Sequence, residues 1–236
     1  MERLDKILAA TGRWSRKEAK NLIKMGRVWV NGVAAVRPED KVPEDGVVTV
    51  DGHVISLERF CYVMLHKPAG VISSTDDPRE TTVLTLLPKE LGRKGLAPVG
   101  RLDKDTEGLL LLTNDGQLAH RLLAPGKHVD KVYYAEVAGQ LDDTDCQAFA
   151  AGIVLGDGTR CLPGKLEILE PGDACLVTIQ EGKYHQVKRM LASRGKPVAY
   201  LKRISMGPLT LDRTLPVGSW RMLTPEEREI LGVEGD

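Results

Sequence analysis

The sequence predicts an α+β fold in which a small helix-and-hairpin unit precedes a larger unit of strands and helices. Two amphipathic helices and two hairpins occupy the first 58 of 236 residues, enough for a small, separate unit. The rest of the chain alternates short, turn-linked strands with helices. No glycine-rich phosphate loop follows the first strand of the larger unit, which argues against a doubly wound nucleotide-binding fold.

Two helices open the chain. Apolar residues at helical spacing, beginning at Leu4, predict a first helix that Gly12 ends. Ser15 followed three residues later by Glu18 is typical of a capping box, which predicts the start of a second helix. We expect Gly26 to end that helix.

Two hairpins and a link complete the first unit. An Asn-Gly dipeptide between valine-rich runs predicts a hairpin over residues 28–36, and an Asp-Gly dipeptide predicts another over 47–55. A polar link at 56–60 then leads to a new apolar strand. The sequence therefore predicts a first domain at residues 1–58 and a second at 60–236.

Basic charge is concentrated at the N-terminus of a chain whose formal net charge is zero. Residues 1–37 carry nine Lys or Arg against three acids, and residues 183–203 carry a second cluster of seven. On the second helix the basic residues form a stripe: Arg16, Lys17, Lys20 and Lys24. Such a stripe is often only a solvated helix face, but separated basic patches on a neutral chain also suit a polyanion.

The larger unit has a regular series of predicted elements. Strands are predicted at residues 60–65, 71–74, 109–112, 131–137, 165–169 and 174–180. Helices are predicted at residues 81–87, 117–123 and 142–151, after the turn that begins at Glu181, and from Thr224 onwards. Residues 89–94 are predicted to be a loop.

A charged loop before an apolar strand is the strongest functional signal. In GRLDKDTEGLLLLTNDG, residues 100–116, four leucines form a strand expected to be buried on both faces. Five charged residues crowd the loop before it, and catalytic groups are commonly carried on loops that a rigid scaffold positions. Asp103 is the candidate reacting residue, although an aspartate here could simply make a turn.

This loop resembles the signature of the RsuA branch of the pseudouridine synthases, which isomerise a uridine in ribosomal RNA. LHKPAGVISSTDD, DKVYYAEV and EGKYHQVKRM resemble further motifs of that family. The resemblance implies a second domain with a mixed, mostly antiparallel sheet flanked by helices. It also implies a reaction without cofactor, metal or energy source.

The resemblance assigns roles to five residues. Asp103 matches the nucleophile, Tyr133 the tyrosine placed against the target base, and Lys188 the basic partner of the aspartate. Arg101 matches a wedge arginine that fills the space left by the extruded base, and Arg189 is a neighbour able to bind phosphate. Many relatives carry Arg where this chain has Lys188, so the expected pairing is single-point rather than bidentate. The alternative for Tyr133 is an ordinary core position in its strand. The alternative for Lys188 and Arg189 is that they are two exposed cations of a helix.

The first unit resembles the S-four-type RNA-binding module, first known from a small-subunit ribosomal protein. RLDKILAATGRWSRKEAKNLIKMGRVWVNG carries this resemblance. It implies that the basic helix, with Arg16, Lys17, Lys20 and Lys24, and the hairpin that follows it grip RNA phosphates.

Finer features point to the small ribosomal subunit. STDDPRETTVL and EGKYHQVKRM look most like the small-subunit enzyme, which modifies uridine 516 of 16S ribosomal RNA, and this implies an assembly intermediate of that subunit as partner. A large-subunit 23S RNA enzyme is the close alternative. An inactive RNA-binding assembly factor, and a hydrolase using Asp103 with Asp105 or Glu107 as a carboxylate pair, are the alternatives from other classes.

Composition sets the remaining expectations. The chain has no apolar run near twenty residues and no signal-peptide pattern, so we expect a cytoplasmic protein with no membrane partner. Its four cysteines lie far apart, which argues against a structural zinc site and favours packing roles. We expect the protein to act as a monomer.

Overall fold

The computed structural model describes residues 1–43, 46–55 and 60–233. The predicted link at 56–60 lies almost wholly outside the described residues, so the boundary between residues 58 and 60 stays a prediction. Among the described residues, no helix is both long and apolar enough to cross a membrane.

The N-terminal unit contains the two predicted helices and two predicted hairpins. Its elements are β1 (Glu2–Arg3), α1 (Leu4–Ala10), α2 (Arg16–Lys24), β2 (Val28–Val30), β3 (Val33–Ala34), β4 (Lys41–Val42), β5 (Val48–Val50) and β6 (His53–Val54). The hairpins join into one four-stranded sheet in the order β3-β2-β5-β6. No pattern predicted the short pairing of β1 with β4, because two residues are too few to show a period.

The predicted capping box begins α2. The Ser15 hydroxyl accepts a hydrogen bond from the Glu18 amide at 3.2 Å, and the Glu18 carboxylate accepts one from the Ser15 amide at 2.6 Å. The capping box thereby satisfies two of the free amides at this end of the helix. Ala19, Leu22 and Ile23 face the core of the N-terminal unit, which leaves the opposite face of α2 exposed.

The larger unit is built on one nine-stranded sheet. Its strands are β7 (Tyr62–Lys67), β8 (Ala97–Pro98), β9 (Glu107–Thr113), β10 (Lys131–Val137), β11 (Lys165–Leu169), β12 (Ala174–Ile179), β13 (Val198–Met206), β14 (Leu209–Thr210) and β15 (Trp220–Met222). The order is β11-β12-β10-β13-β9-β7-β15, with β14 beside β13 and β8 beside β9. Only β13 and β9 pair in parallel, so the sheet is mixed and mostly antiparallel, as predicted.

Helices cover both faces of this sheet. They are α3 (Lys89–Gly92), α4 (Gly116–Leu123), α5 (Asp143–Ala151), α6 (Gln186–Ser193) and α7 (Pro225–Ile230), with short 3-10 turns at Val83–Leu86 and Pro125–Lys127. Leu110 and Leu112 pack in the core that contains α5 and α6, whereas Leu109 and Leu111 pack in the core that contains α4. All four leucines are fully buried, which confirms the prediction of a strand covered on both faces. Burial of each contributes about 2 kcal/mol.

Several local predictions were wrong. Residues 71–74 form only an isolated bridge, between Ile72 and Thr82. The predicted loop at 89–94 begins with the one-turn helix α3, and β7 continues through Lys67 instead of ending at Leu65. The long strand β13 was not predicted, because Arg203 at an inward position and two register shifts against β10 hide its alternation.

The parallel pairing of β13 and β9 requires a glycine. Gly108 lies opposite Arg203 with φ of 107°. A Cβ atom there would lie 2.2 Å from the Arg203 carbonyl oxygen and 2.7 Å from its nitrogen. Only glycine tolerates both this backbone angle and this approach.

We predict that Gly108→Ala lowers the free energy of unfolding by at least about 2 kcal/mol, because a backbone atom of a buried strand must shift. Urea denaturation measures the change. Gly116→Ala is the matched control: an added Cβ there meets nothing within 4 Å, and α4 begins at this residue. Its stability should stay within about 1 kcal/mol. Equal stability of the two variants would contradict this account of Gly108.

Candidate active site

A buried lysine shapes the loop that carries Asp103. Lys67, the last residue of β7, is 0% exposed, and its Nζ donates hydrogen bonds to the carbonyl oxygens of Pro68, Asp103, Lys104 and Thr106 at 2.9–3.3 Å. Three N–H bonds are thus shared among four acceptors. Three of these acceptors lie within the loop, so one ammonium group fixes its backbone.

Nearby carboxylates partly offset the cost of burying the Lys67 charge. Burial lowers the pKa of Lys67 to about 8, while the carboxylates of Asp105, Asp103 and Glu107 oppose this shift. At pH 7 the group is therefore still mostly protonated and able to donate to all of its carbonyl partners.

Other bonds complete the loop's frame. The Ser73 hydroxyl donates to the Leu102 carbonyl at 2.9 Å and accepts from the Leu102 amide at 3.0 Å. The Thr106 amide donates to the Asp103 carbonyl at 3.1 Å. The loop is thereby tied to the segment after β7 and closed on itself, so the Asp103 carboxylate projects from a fixed backbone.

The Asp103 carboxylate faces two groups of the turn and helix around α6. Lys188 Nζ lies 3.3 Å from one carboxylate oxygen, and His185 Nε2 lies 3.5 Å from the other. Lys188 also donates to Asp105 at 2.5 Å, and this bond is the main cause that lowers the pKa of Asp105. The lysine therefore divides its attraction between two carboxylates. Asp105 is largely exposed, whereas the Asp103 side chain is 28% exposed.

A solvent-open cleft lies beside Asp103. Its walls include Arg101, Tyr133, His185 and Leu201. Tyr133 is 8% exposed and lies on the inward face of β10. Arg101 is exposed, and its side chain makes no hydrogen bond or ion pair within the described residues.

The structure brings together some predicted site residues and separates others. Arg101, Asp103 and Tyr133 line one cleft, and Lys188 contacts Asp103. Arg189 points elsewhere and pairs with Asp157 at 2.6 Å. The four residues of the basic stripe, Arg16, Lys17, Lys20 and Lys24, are all exposed on α2 in the N-terminal unit.

Sequence reasoning missed the parts played by Lys67 and His185. A lysine that ends an apolar strand is a visible signal, but its partners are mostly some forty residues away in the chain. His185 adopts a left-handed backbone with φ of 45° immediately before α6, and nothing in the sequence marks that conformation. Within the described part of the chain, no three His, Cys, Asp or Glu side chains are grouped to hold a metal ion.

Known proteins resemble this chain over nearly its whole length. It is 47% identical over 233 residues to an uncharacterised RNA pseudouridine synthase of Bacillus subtilis (strain 168), covering 97% of this chain and 98% of that one. It is 43% identical to the ribosomal small subunit pseudouridine synthase A of Pseudomonas aeruginosa, a match that covers 95% of this chain and 98% of that one. It is 38% identical to the ribosomal large subunit pseudouridine synthase B of Vibrio cholerae, a match that covers 94% of this chain and 71% of that one.

A solved structure and two family models agree with these relatives. A crystal structure of a pseudouridylate synthase superposes with a TM-score of 0.69 at 36% identity and covers 98% of this chain and 100% of that one. The S4 domain matches residues 2–48, and the family described as RNA pseudouridylate synthase matches residues 61–193. The chain therefore belongs to the RNA pseudouridylate synthase family and carries an S4 domain at its N-terminus.

Proposed function

We propose that this enzyme converts a uridine of 16S ribosomal RNA, at the family's site of uridine 516, into pseudouridine. The observation that carries the proposal is the placement of Asp103. Its backbone is held by the buried Lys67, its carboxylate contacts Lys188, and both it and Tyr133 line one cleft. Loops held in this way by a rigid scaffold are a common setting for catalytic groups.

The relatives support the small subunit as the source of the RNA. This chain and the small-subunit synthase of Pseudomonas aeruginosa cover 95% and 98% of each other, whereas the chain covers only 71% of the large-subunit synthase of Vibrio cholerae. Chain length thus fits the small-subunit enzyme better. The large-subunit substrate is the second candidate, since its relatives are only slightly less identical.

The reaction balances without a co-reactant. The bond between N1 of uracil and C1′ of ribose breaks, and a bond between C5 and C1′ forms. N1 gains a proton and C5 loses one, so the product is an isomer. A nucleophile is needed to stabilise the separated sugar or base, and the Asp103 carboxylate takes this part. Lys188 Nζ lies 3.3 Å from this carboxylate and provides an opposite charge beside it.

Tyr133 and Arg101 act on the base. A uridine in folded RNA leaves its stack before its glycosidic bond is reached, at a cost of a few kcal/mol. Arg101, exposed at the cleft wall, fills the vacated space. The ring of Tyr133 stacks on the extruded uracil, and its hydroxyl moves the proton from C5.

The N-terminal domain adds affinity. Arg16, Lys17, Lys20 and Lys24 form no ion pairs within the described residues, so they are available to RNA phosphates. Each phosphate contact steepens the fall of log affinity with log salt by about 0.7–0.9. Arg189 contributes one more contact if its pair with the exposed Asp157 opens. The protein acts as a monomer in the cytoplasm.

We predict that purified enzyme forms pseudouridine at one position of 16S RNA or of a small-subunit assembly intermediate, and at none in 23S RNA. Mapping of pseudouridine in each RNA after incubation measures this. Modification confined to 23S RNA would contradict the small-subunit assignment but leave the chemistry intact. Release of free uracil without pseudouridine would instead favour a hydrolase.

We predict that Asp103→Asn lowers the single-turnover rate by at least about 10⁴-fold, because the nucleophilic charge is lost while the shape is kept. RNA affinity should stay within about threefold, since a carboxylate does not attract phosphates and its removal takes away no cation that binds them. The matched control is Asp105→Asn, which removes the exposed carboxylate that shares Lys188. An exposed pair contributes little, so the control should lose less than about fivefold. Measurable turnover by Asp103→Asn, or equal losses in the two variants, would contradict the role of Asp103.

A further inference from the structure

We propose that Tyr184 and His185 form a stacking platform for the base of a nucleotide adjacent to the target uridine. The inference rests on the proposed function, because it takes the target uracil to occupy the cleft beside Tyr133 and Asp103. It assigns a binding role to Tyr184, a residue that the proposed chemistry does not use.

The two rings make one aromatic surface that leads out of the cleft. Their centroids are 3.9 Å apart and their planes differ by 17°, so the rings are stacked. His185 lines the cleft and lies 3.5 Å from Asp103. Tyr184 is 75% exposed, so one face of its ring rests on His185 and the other meets solvent. The surface therefore runs from the reacting carboxylate to the mouth of the site.

The turn that carries these rings is held firmly. The side-chain oxygen of the buried Gln186 accepts a hydrogen bond from the backbone amide of Lys183 at 2.9 Å. Its side-chain nitrogen donates one to the Glu181 carboxylate at 2.6 Å. His185 keeps a left-handed backbone, φ 45°, which costs a residue of this kind free energy and tends to persist at functional sites. Tyr184 is thus presented on an ordered turn, and little entropy is lost when a partner stacks on it.

An RNA base is the occupant that suits this platform. An exposed aromatic ring beside basic groups is the usual way in which proteins hold unstacked bases. Arg101 and Lys183 line the same cleft, and Lys188 lies beside the carboxylate of Asp103. When the target base leaves the helix, its neighbour loses a stacking partner. The exposed ring of Tyr184, stacked on His185 of the cleft wall, offers that base a new stacking partner.

The test measures binding to RNA that either has or lacks the neighbouring base. An RNA fragment is first chosen on which the wild-type enzyme forms pseudouridine. Failure of 16S RNA as substrate would appear at this step and would leave the rest of the test intact. Two further RNAs carry an abasic residue immediately before or immediately after the target uridine. Affinities of wild type, Tyr184→Ala and Tyr184→Phe are measured on all three.

We expect Tyr184→Ala to bind the intact RNA at least fivefold more weakly, the lower end of base–aromatic stacking. Tyr184→Phe keeps the ring and should bind within twofold of wild type. On one of the two abasic RNAs, wild type and Tyr184→Ala should bind equally, because the base that stacks is gone. An equal loss by Tyr184→Ala on all three RNAs would assign the tyrosine a purely structural role. No loss on the intact RNA would likewise overturn the platform.

Discussion

The buried ammonium of Lys67 is the contact on which the active site depends. A charge in the interior is costly unless it is fully hydrogen-bonded, and this one is shared among four carbonyl oxygens. The carbonyl groups of the loop depend on the lysine in turn. Without the lysine each of these carbonyls would lose a donor, although those of Asp103 and Lys104 would keep the amides of Thr106 and Gly70. A buried carbonyl left with no donor costs about 1–3 kcal/mol. The loop of Asp103 therefore has one well-satisfied shape, and the carboxylate is held in place before any RNA arrives.

The surrounding strands bring the remaining groups to that loop. β9 begins where the loop ends, and Gly108 lets β13 approach in parallel. Arg203 of β13 is buried, and its Nε donates to the Leu109 carbonyl at 2.9 Å, which further ties the two strands. Tyr133 of β10 lies opposite Arg203 across the next pairing. The tyrosine and the aspartate thus reach one cleft because three neighbouring strands fix their separation.

Local patterns predicted much of this fold. The strand predicted at residues 131–137 has the bounds of β10, and Ser15 with Glu18 predicted the start of α2, because both signals depend on neighbours in the chain. β13 was missed because the charged Arg203 interrupts its apolar pattern. That arginine is buried only because distant strands surround it, which the local sequence does not show. Asp103 was proposed from its charged loop as well as from resemblance, and Tyr133 and Lys188 were proposed from resemblance alone. The tasks of Lys67 and His185 became visible only when segments far apart in sequence were brought into contact.

The most direct test of this account compares Lys67→Met with Lys104→Met, a change of an exposed lysine in the same loop. Hydrogen exchange of the Thr106 amide, which donates to the Asp103 carbonyl, reports the loop, and kcat reports the site. In Lys67→Met we predict exchange at least about tenfold faster and kcat at least about 10²-fold lower, with RNA affinity unchanged. Lys104→Met should leave exchange and kcat within about threefold of wild type. A folded Lys67→Met protein with wild-type exchange and kcat would contradict the account.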